Sequence, residues 1–151
     1  MGGIAGKVGH SSDIIDCSFT GNIGGNSSVG GIVGTISGGS DFGESNITNF
    51  SFNGQLLSSG TQTGGIAGFL EQVNISGSYA SGTLNSDGDN AGGLVGQINN
   101  GHIESYYADV NVTGVNSVGG VAGRFWGDII DSYATGSVTG QAKMPAGLPL
   151  K

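Results

Sequence analysis

The chain has 151 residues, 33 of them glycine, and a formal net charge of −7 from 11 acidic and four basic side chains. So few cations exclude a nucleic-acid partner, because no Lys/Arg patch exists to displace counterions from phosphates. No apolar run reaches the roughly 18 residues of a membrane span, and only 10% of residues are charged, so the exterior must be built from Ser, Thr, Asn and Gly.

A glycine-rich composition can mark a structureless chain, but a regular phrase runs through this one. Gly-Gly-apolar-Ala/Val-Gly opens as GGIAG at residues 2–6. The preceding Met1 and the following Lys7-Val8-Gly9 do not form the charged and apolar regions of a signal peptide. The chain enters inside a repeat, as expected of a segment cut from a longer protein. IIDCSFTGNI follows at residues 14–23. Its lone Cys17 has no partner for an intrachain disulfide and is expected as a small buried hydrophobe.

The phrase returns as GGIVG at 30–34, GGIAG at 64–68, GGLVG at 92–96 and GGVAG at 119–123. The starts lie 28, 34, 28 and 27 residues apart. Each is followed by its own second run: ITNFSFNGQL at 47–56, ISGSYASGTL at 75–84, IESYYADVNV at 103–112 and IIDSYATGSV at 129–138. The second unit is six residues longer than the first, with the excess expected as a loop at 38–45 or 57–62. Turn residues Gly38-Gly39, Asn99-Asn100-Gly101 and Trp126-Gly127-Asp128 separate the runs.

No 3.6-residue periodicity is long enough for a helix, and both prolines, Pro145 and Pro149, fall after the repeats. A fixed period in this range marks stacked structural units. The expected fold is all-β: a right-handed parallel β-solenoid (β-helix) of about five coils with 27–34 residue repeats. Its rungs would lie about 4.8 Å apart. Residues 2–140 make one domain, and residues 141–151 a tail or linker in which Leu148 and Leu150 could cover the last rung. The glycines suit sharp corners and close approach between coils.

Alternation sorts the second run into two faces. Ile23, Leu56, Leu84, Val112 and Val138 should point inward, as should Phe19, Phe52, Ala80, Ala108 and Ala134. Thr20, Asn53, Ser81, Asp109 and Thr135 should face water, with Asn22, Gln55, Thr83, Asn111 and Ser137 beside them. In the first run the inward columns should be Ile4, Ile32, Ile66, Leu94 and Val121, then Val8, Ile36, Leu70, Ile98 and Phe125. One aromatic changes face along the stack: units three to five place Tyr79, Tyr107 and Tyr133 where units one and two have Ser18 and Ser51. An outward stripe of three tyrosines follows.

Val118-Gly119-Gly120-Val121-Ala122-Gly123, followed by Ile129-Ile130-Asp131-Ser132-Tyr133-Ala134-Thr135-Gly136-Ser137-Val138, resembles the GLUG repeat of bacterial surface proteins. The similarity runs over residues 2–140 and departs from the pattern at Ser18, Ser51 and Val110. Such repeats occur in exported adhesins and as accessory regions of proteases that cleave immunoglobulin A. The resemblance implies an extracellular or cell-surface module and carries over no catalytic residue. The related proteases are zinc enzymes needing H-E-x-x-H, whereas His10 and His102 lie in separate units and read as surface turn residues.

Other chemistry is equally sparse. Asp13 and Asp16 correspond to Asp128 and Asp131 four rungs away, too far for a glycosidase pair. Asp109 sits between Ser81 and Thr135, so no acidic cluster forms around it. Lys7 and Arg124 occupy equivalent positions at opposite ends of the stack. Asp87-Gly88-Asp89-Asn90 is a weak calcium candidate through Asp87 and Asp89, and reads more simply as a polar turn.

The expected function is a non-catalytic structural or adhesive module with no cofactor, acting as a stiff spacer or interaction surface. The candidate surface comprises Tyr79, Tyr107, Tyr133, Thr20, Asn53, Ser81, Asp109 and Thr135. Expected partners are a host or cell-surface protein or glycan and neighbouring domains of a longer chain, with no membrane insertion. The alternatives are a flat face that binds glycan or ice, and a self-assembling fibre subunit. Head-to-tail stacking in register would set Asp131 beside Asp16 and Arg124 beside Lys7, so a monomer is expected.

Overall fold

The computed structural model describes residues 1–9, 11–37 and 43–141. The expectations for His10, for the Gly38-Gly39 turn, for part of the 38–45 loop and for the tail beyond Gln141 lie outside those residues. Among the described residues every element is a strand, and each pairing is parallel.

Each early coil has three flanks. A glycine flank follows the Gly phrase: Ala5–Val8, Val33–Ser37 and Ala67–Glu71. A short flank comes next: Asp13–Ile15, Ser45–Thr48 and Val73–Ser76. A long flank completes the turn: Ser18–Gly25, Ser51–Ser58 and Tyr79–Ser86. Two-residue corner strands then lead into the next coil and stack into their own four-stranded sheet: Val29–Gly30, Thr63–Gly64, Ala91–Gly92 and Val118–Gly119. The chain is therefore a parallel β-solenoid, its coils matching the repeats in the sequence.

The turns expected at Asn99-Asn100-Gly101 and Trp126-Gly127-Asp128 do not interrupt the ladder. They lie inside the continuous strands Val95–Gly114 and Ala122–Thr135. The pairing shifts only between Asn99 and Gly101. Asn100 at φ 54° and Gly127 at φ 145° each bend the strand within one residue, so the pairing resumes at once.

Single left-handed residues make the other bends too. Asp16, Asn49, Gly77, Ser105 and Asp131, with φ between 46° and 58°, join short flank to long flank. Ser28, Gln62, Asn90 and Ser117 do the same before the corner strands. Asp and Asn tolerate this region because their short polar side chains bond locally. The bends thus rest mostly on non-glycine residues, and the paired glycines serve close approach. A Cβ on Gly65 would collide with the Gly93 carbonyl and lie 2.9 Å from the Ala80 Cβ.

The inward columns stand in register. Val8, Ile36, Leu70, Ile98 and Phe125 pair in succession, as do Ile23, Leu56, Leu84, Val112 and Val138. Leu56, Leu84, Leu94 and Ile98 are fully buried. The outermost members depart from expectation. Ile4 is 47% exposed and Val138 48%, and Ala134 is also exposed. Cys17 and Phe19 are half-buried. A side chain in the first or last coil has a covering rung on one side only, so an inward direction buries it less completely, although Ile23 in the first coil is still buried.

The longer second unit is resolved by the register. The pairing offset rises from 28 at Val8–Ile36 to 33 at Asp13–Asn46, which places most of the excess before Asn46. The offset reaches 34 at Val29–Thr63, so one further residue enters between Ser58 and Thr63.

Core volume is shared between neighbouring columns. Phe19 and Phe52 stack with centroids 6.4 Å apart, and Ala80 and Ala108 continue their column. The adjacent inward position holds Phe50, Ser78 and Tyr106, all buried, so small Ser78 separates two large rings. Val110 replaces glycine in its column and is buried, adding volume beside Ala108.

Tyr106 went unread in the sequence. It is only 1% exposed, and its hydroxyl has no hydrogen-bond partner among the described residues. Burial, with a smaller contribution from Tyr79, holds its phenol well above the usual range. An unpaired buried hydroxyl costs about 1–3 kcal/mol. Tyr106→Phe should therefore keep or raise the denaturant midpoint, and a clear fall would show that the hydroxyl has a partner. Leu84→Ala, opening a void in the middle of the stack, should lose about 2–5 kcal/mol in the same measurement.

Candidate interaction surface

The outward face of the long flank carries the expected surface residues, and the ladder places them in columns. Thr20, Asn53, Ser81, Asp109 and Thr135 pair in sequence. Ser51, Tyr79, Tyr107 and Tyr133 form the column two residues earlier, with Ser18 at its start. The tyrosines point outward. Tyr133 is 61% exposed and Tyr79 37%, while Tyr107 between them is half-buried.

Their rings meet along the stack. Tyr79 and Tyr107 lie 5.1 Å apart and 16° from parallel, and Tyr107 and Tyr133 lie 4.7 Å apart at 46°. Rung spacing matches ring-contact distance, so identical residues in register meet along the stack, near parallel at Tyr79–Tyr107 and tilted at Tyr107–Tyr133. The inner faces are consequently covered, and the stripe shows water mainly its edges and hydroxyls.

Polar groups on the last two coils are tied to one another. Thr135 Oγ1 donates to Asp109 Oδ1 at 3.0 Å. A threonine hydroxyl has one proton, so in the 3.2 Å contact between Tyr107 and Thr135 the tyrosine is the donor. Asn111 Oδ1 accepts from both the backbone N–H and the hydroxyl of Ser137. On the first two coils, by contrast, the side chains of Ser18, Thr20, Ser51 and Asn53 make no hydrogen bond among the described residues.

The remaining candidates are dispersed. Asp13, Asn46, Asn74, His102 and Asp128 form one column, so the two aspartates are four rungs apart. His102 Nδ1 meets Asp128 Oδ2 at 3.2 Å, both side chains more than half exposed. Glu44 Oε2 accepts from Asn74 Nδ2 at 2.7 Å beside the shallow groove formed with Gln72 and Asn100. Asp89 Oδ1 accepts from Asn116 Nδ2 at 3.1 Å, and Asp87 is exposed in the same turn. No three His, Cys, Asp or Glu side chains converge on a metal-sized position among the described residues. Lys7 pairs with Thr35, and Arg124 covers Trp126 at 4.4 Å.

The sequence reading also missed a repeated serine. Ser58 and Ser86 are buried; each donates to a carbonyl of the preceding coil and accepts the N–H two residues ahead. The recurrence of Ser at these two equivalent positions was the available signal.

Residues 114–139 match a family model described as the GLUG motif. No curated protein and no solved structure matches the chain. The matched segment covers the Gly phrase and second run of the fifth unit, which pair residue by residue with the fourth. The chain is a β-solenoid repeat module carrying the GLUG motif at residues 114–139.

Proposed function

We propose that this module works outside the bacterial cell without catalysis, as a stiff element of a longer protein that presents its long flank to a cell-surface or host ligand. The observation that carries this reading is the exposed tyrosine ladder, held outward on a rigid in-register sheet. Rigidity comes from the parallel ladders that join each coil to its neighbours among the described residues. The non-catalytic part is supported by dispersal: carboxylates lie in separate columns or rungs, and His102 is engaged with Asp128. The polar, sparsely charged and net-acidic exterior fits an extracellular setting, as does the resemblance to repeats of exported proteins.

An ice-binding face is less well supported. It calls for an unbroken array of hydroxyls, whereas Asn53 and Asp109 interrupt one column and Gln55 and Asn111 the other.

Displaying the chain on a non-adherent bacterium tests the proposal. The parent should confer attachment to glycan-coated or host-cell surfaces. A triple variant, Tyr79→Ser, Tyr107→Ser and Tyr133→Ser, should keep the β-rich circular dichroism spectrum and lose attachment. Its stability should fall by about 1–3 kcal/mol, for two ring contacts of about 0.5–1.5 kcal/mol each. Undiminished attachment by the triple variant would remove the tyrosine flank from the function, and turnover of a glycan or peptide substrate by the parent would overturn the non-catalytic reading.

A further inference from the structure

The aromatic ladder stops abruptly. Tyr107 covers one face of Tyr79, but the next two positions along the column are Ser51 and Ser18. The other face of Tyr79 therefore looks along the stack over two small side chains. Two missing rings leave a notch about 10 Å high, twice the rung spacing. Tyr79 is its wall, Ser51 and Ser18 its floor, and Asn53 and Thr20, two residues further along the same strands, its rim.

We propose that this notch binds a neutral sugar ring, stacked on the open face of Tyr79. The inference rests on the reading of the long flank as an interaction surface and names its ligand. Three observations carry it. Tyr79 has a ring neighbour on one side only, leaving its other face toward Ser51 without one, whereas the ring of Tyr107 has a ring neighbour on each side. The notch is lined by hydroxyls and one amide, a set that offers donors and acceptors to sugar hydroxyls, and the carboxylate two residues before Ser18, Asp16, is held by Asn49 Nδ2 at 2.9 Å. Finally, those four side chains have no protein partner among the described residues, while their counterparts Tyr107, Asp109 and Thr135 are joined through Thr135. Free polar groups gather where the ring face is free.

The test uses the whole chain with cellobiose, lactose and maltose, followed by saturation-transfer NMR and by the shifts of the Tyr79 ring. At least one of these sugars should bind and shift the Tyr79 ring. Ser51→Tyr would extend the ladder by one ring, as the next three coils already do, and should reduce affinity by about two- to twelvefold, the size expected from losing one ring contact. Asn53→Ala should weaken binding without changing the melting curve. Tyr133→Ala, at the opposite end of the ladder, should leave affinity within about twofold, because no bond links that ring to the notch. No binding to the parent, or equal binding by Ser51→Tyr, would overturn the proposal. So would preference for a tryptophan-bearing peptide over all three sugars. If the displayed triple-tyrosine variant loses attachment while Ser51→Tyr retains it, the flank still recognises a ligand but the notch does not hold it. Loss in neither would refute both readings.

Discussion

The backbone contact between coils governs the rest of the structure. The Gly65 N–H donates to the Gly93 carbonyl at 3.2 Å, and Gly31 and Gly93 repeat the contact to Gly64 and Gly119. A side chain at Gly65 would strike the carbonyl above it. Two glycines per coil let one backbone lie directly on the next, and flanking apolar residues then fall into vertical columns. Because the register is fixed at this point in every coil, a slip of one residue would turn each inward column to water.

Strict register makes every position its own neighbour, which restricts what the sequence can place there. Identical apolar or aromatic groups reinforce one another, but identical charges oppose. The columns respect that limit. Asp13 pairs with Asn46, Asp109 lies between Ser81 and Thr135, Lys7 faces Thr35, Glu104 lies between Ser76 and Ile130, and Arg124 faces Gln97. Asn49 donates to Asp16, and Asn116 to Asp89. Amides and hydroxyls separate the charges and often bond to them. The low charged fraction of the chain thus follows from its geometry. So does the scarcity of catalytic constellations, since a column that avoids adjacent carboxylates cannot easily assemble a carboxylate pair.

How legible each feature is in the sequence depends on its range. Alternation along one strand decides direction, so the columns of Leu56, Leu84, Ser81 and Tyr107 could be read from periodicity and repeat spacing alone. Burial at the ends could not, because Ile4 and Val138 have the right direction but one covering rung. The bends were assigned too readily to glycine; Asn49 and Asp131 adopt left-handed φ at ordinary-looking positions. Tyr106 escaped because its aromatic neighbour Tyr107 fitted the expected stripe. Its inward direction becomes plain only when Phe50 and Ser78 are aligned with it. For the surface, the column membership of all eight candidates and the tyrosine ladder between rungs were legible, but not the hydrogen bonds that tie Tyr107, Asp109 and Thr135 together.

That stacking changes where recognition can occur. A continuous aromatic ladder is saturated: each ring satisfies its neighbour, and only edges remain for a ligand. The same holds for Thr135, Asp109 and Tyr107, whose polar atoms satisfy one another. In a solenoid of near-identical coils, unsatisfied groups therefore arise where the repeat is broken, and here the break lies between the second and third coils. There the aromatic moves from Phe52, inside, to Tyr79, outside, leaving Ser51 beneath an open ring. The core change and the surface change are one event, because the aromatic volume withdrawn from the Ala80 column reappears on the outer face of the same strand. A repeat protein can acquire a singular site in this way without a loop or insertion, by changing which face of one strand carries its large side chain.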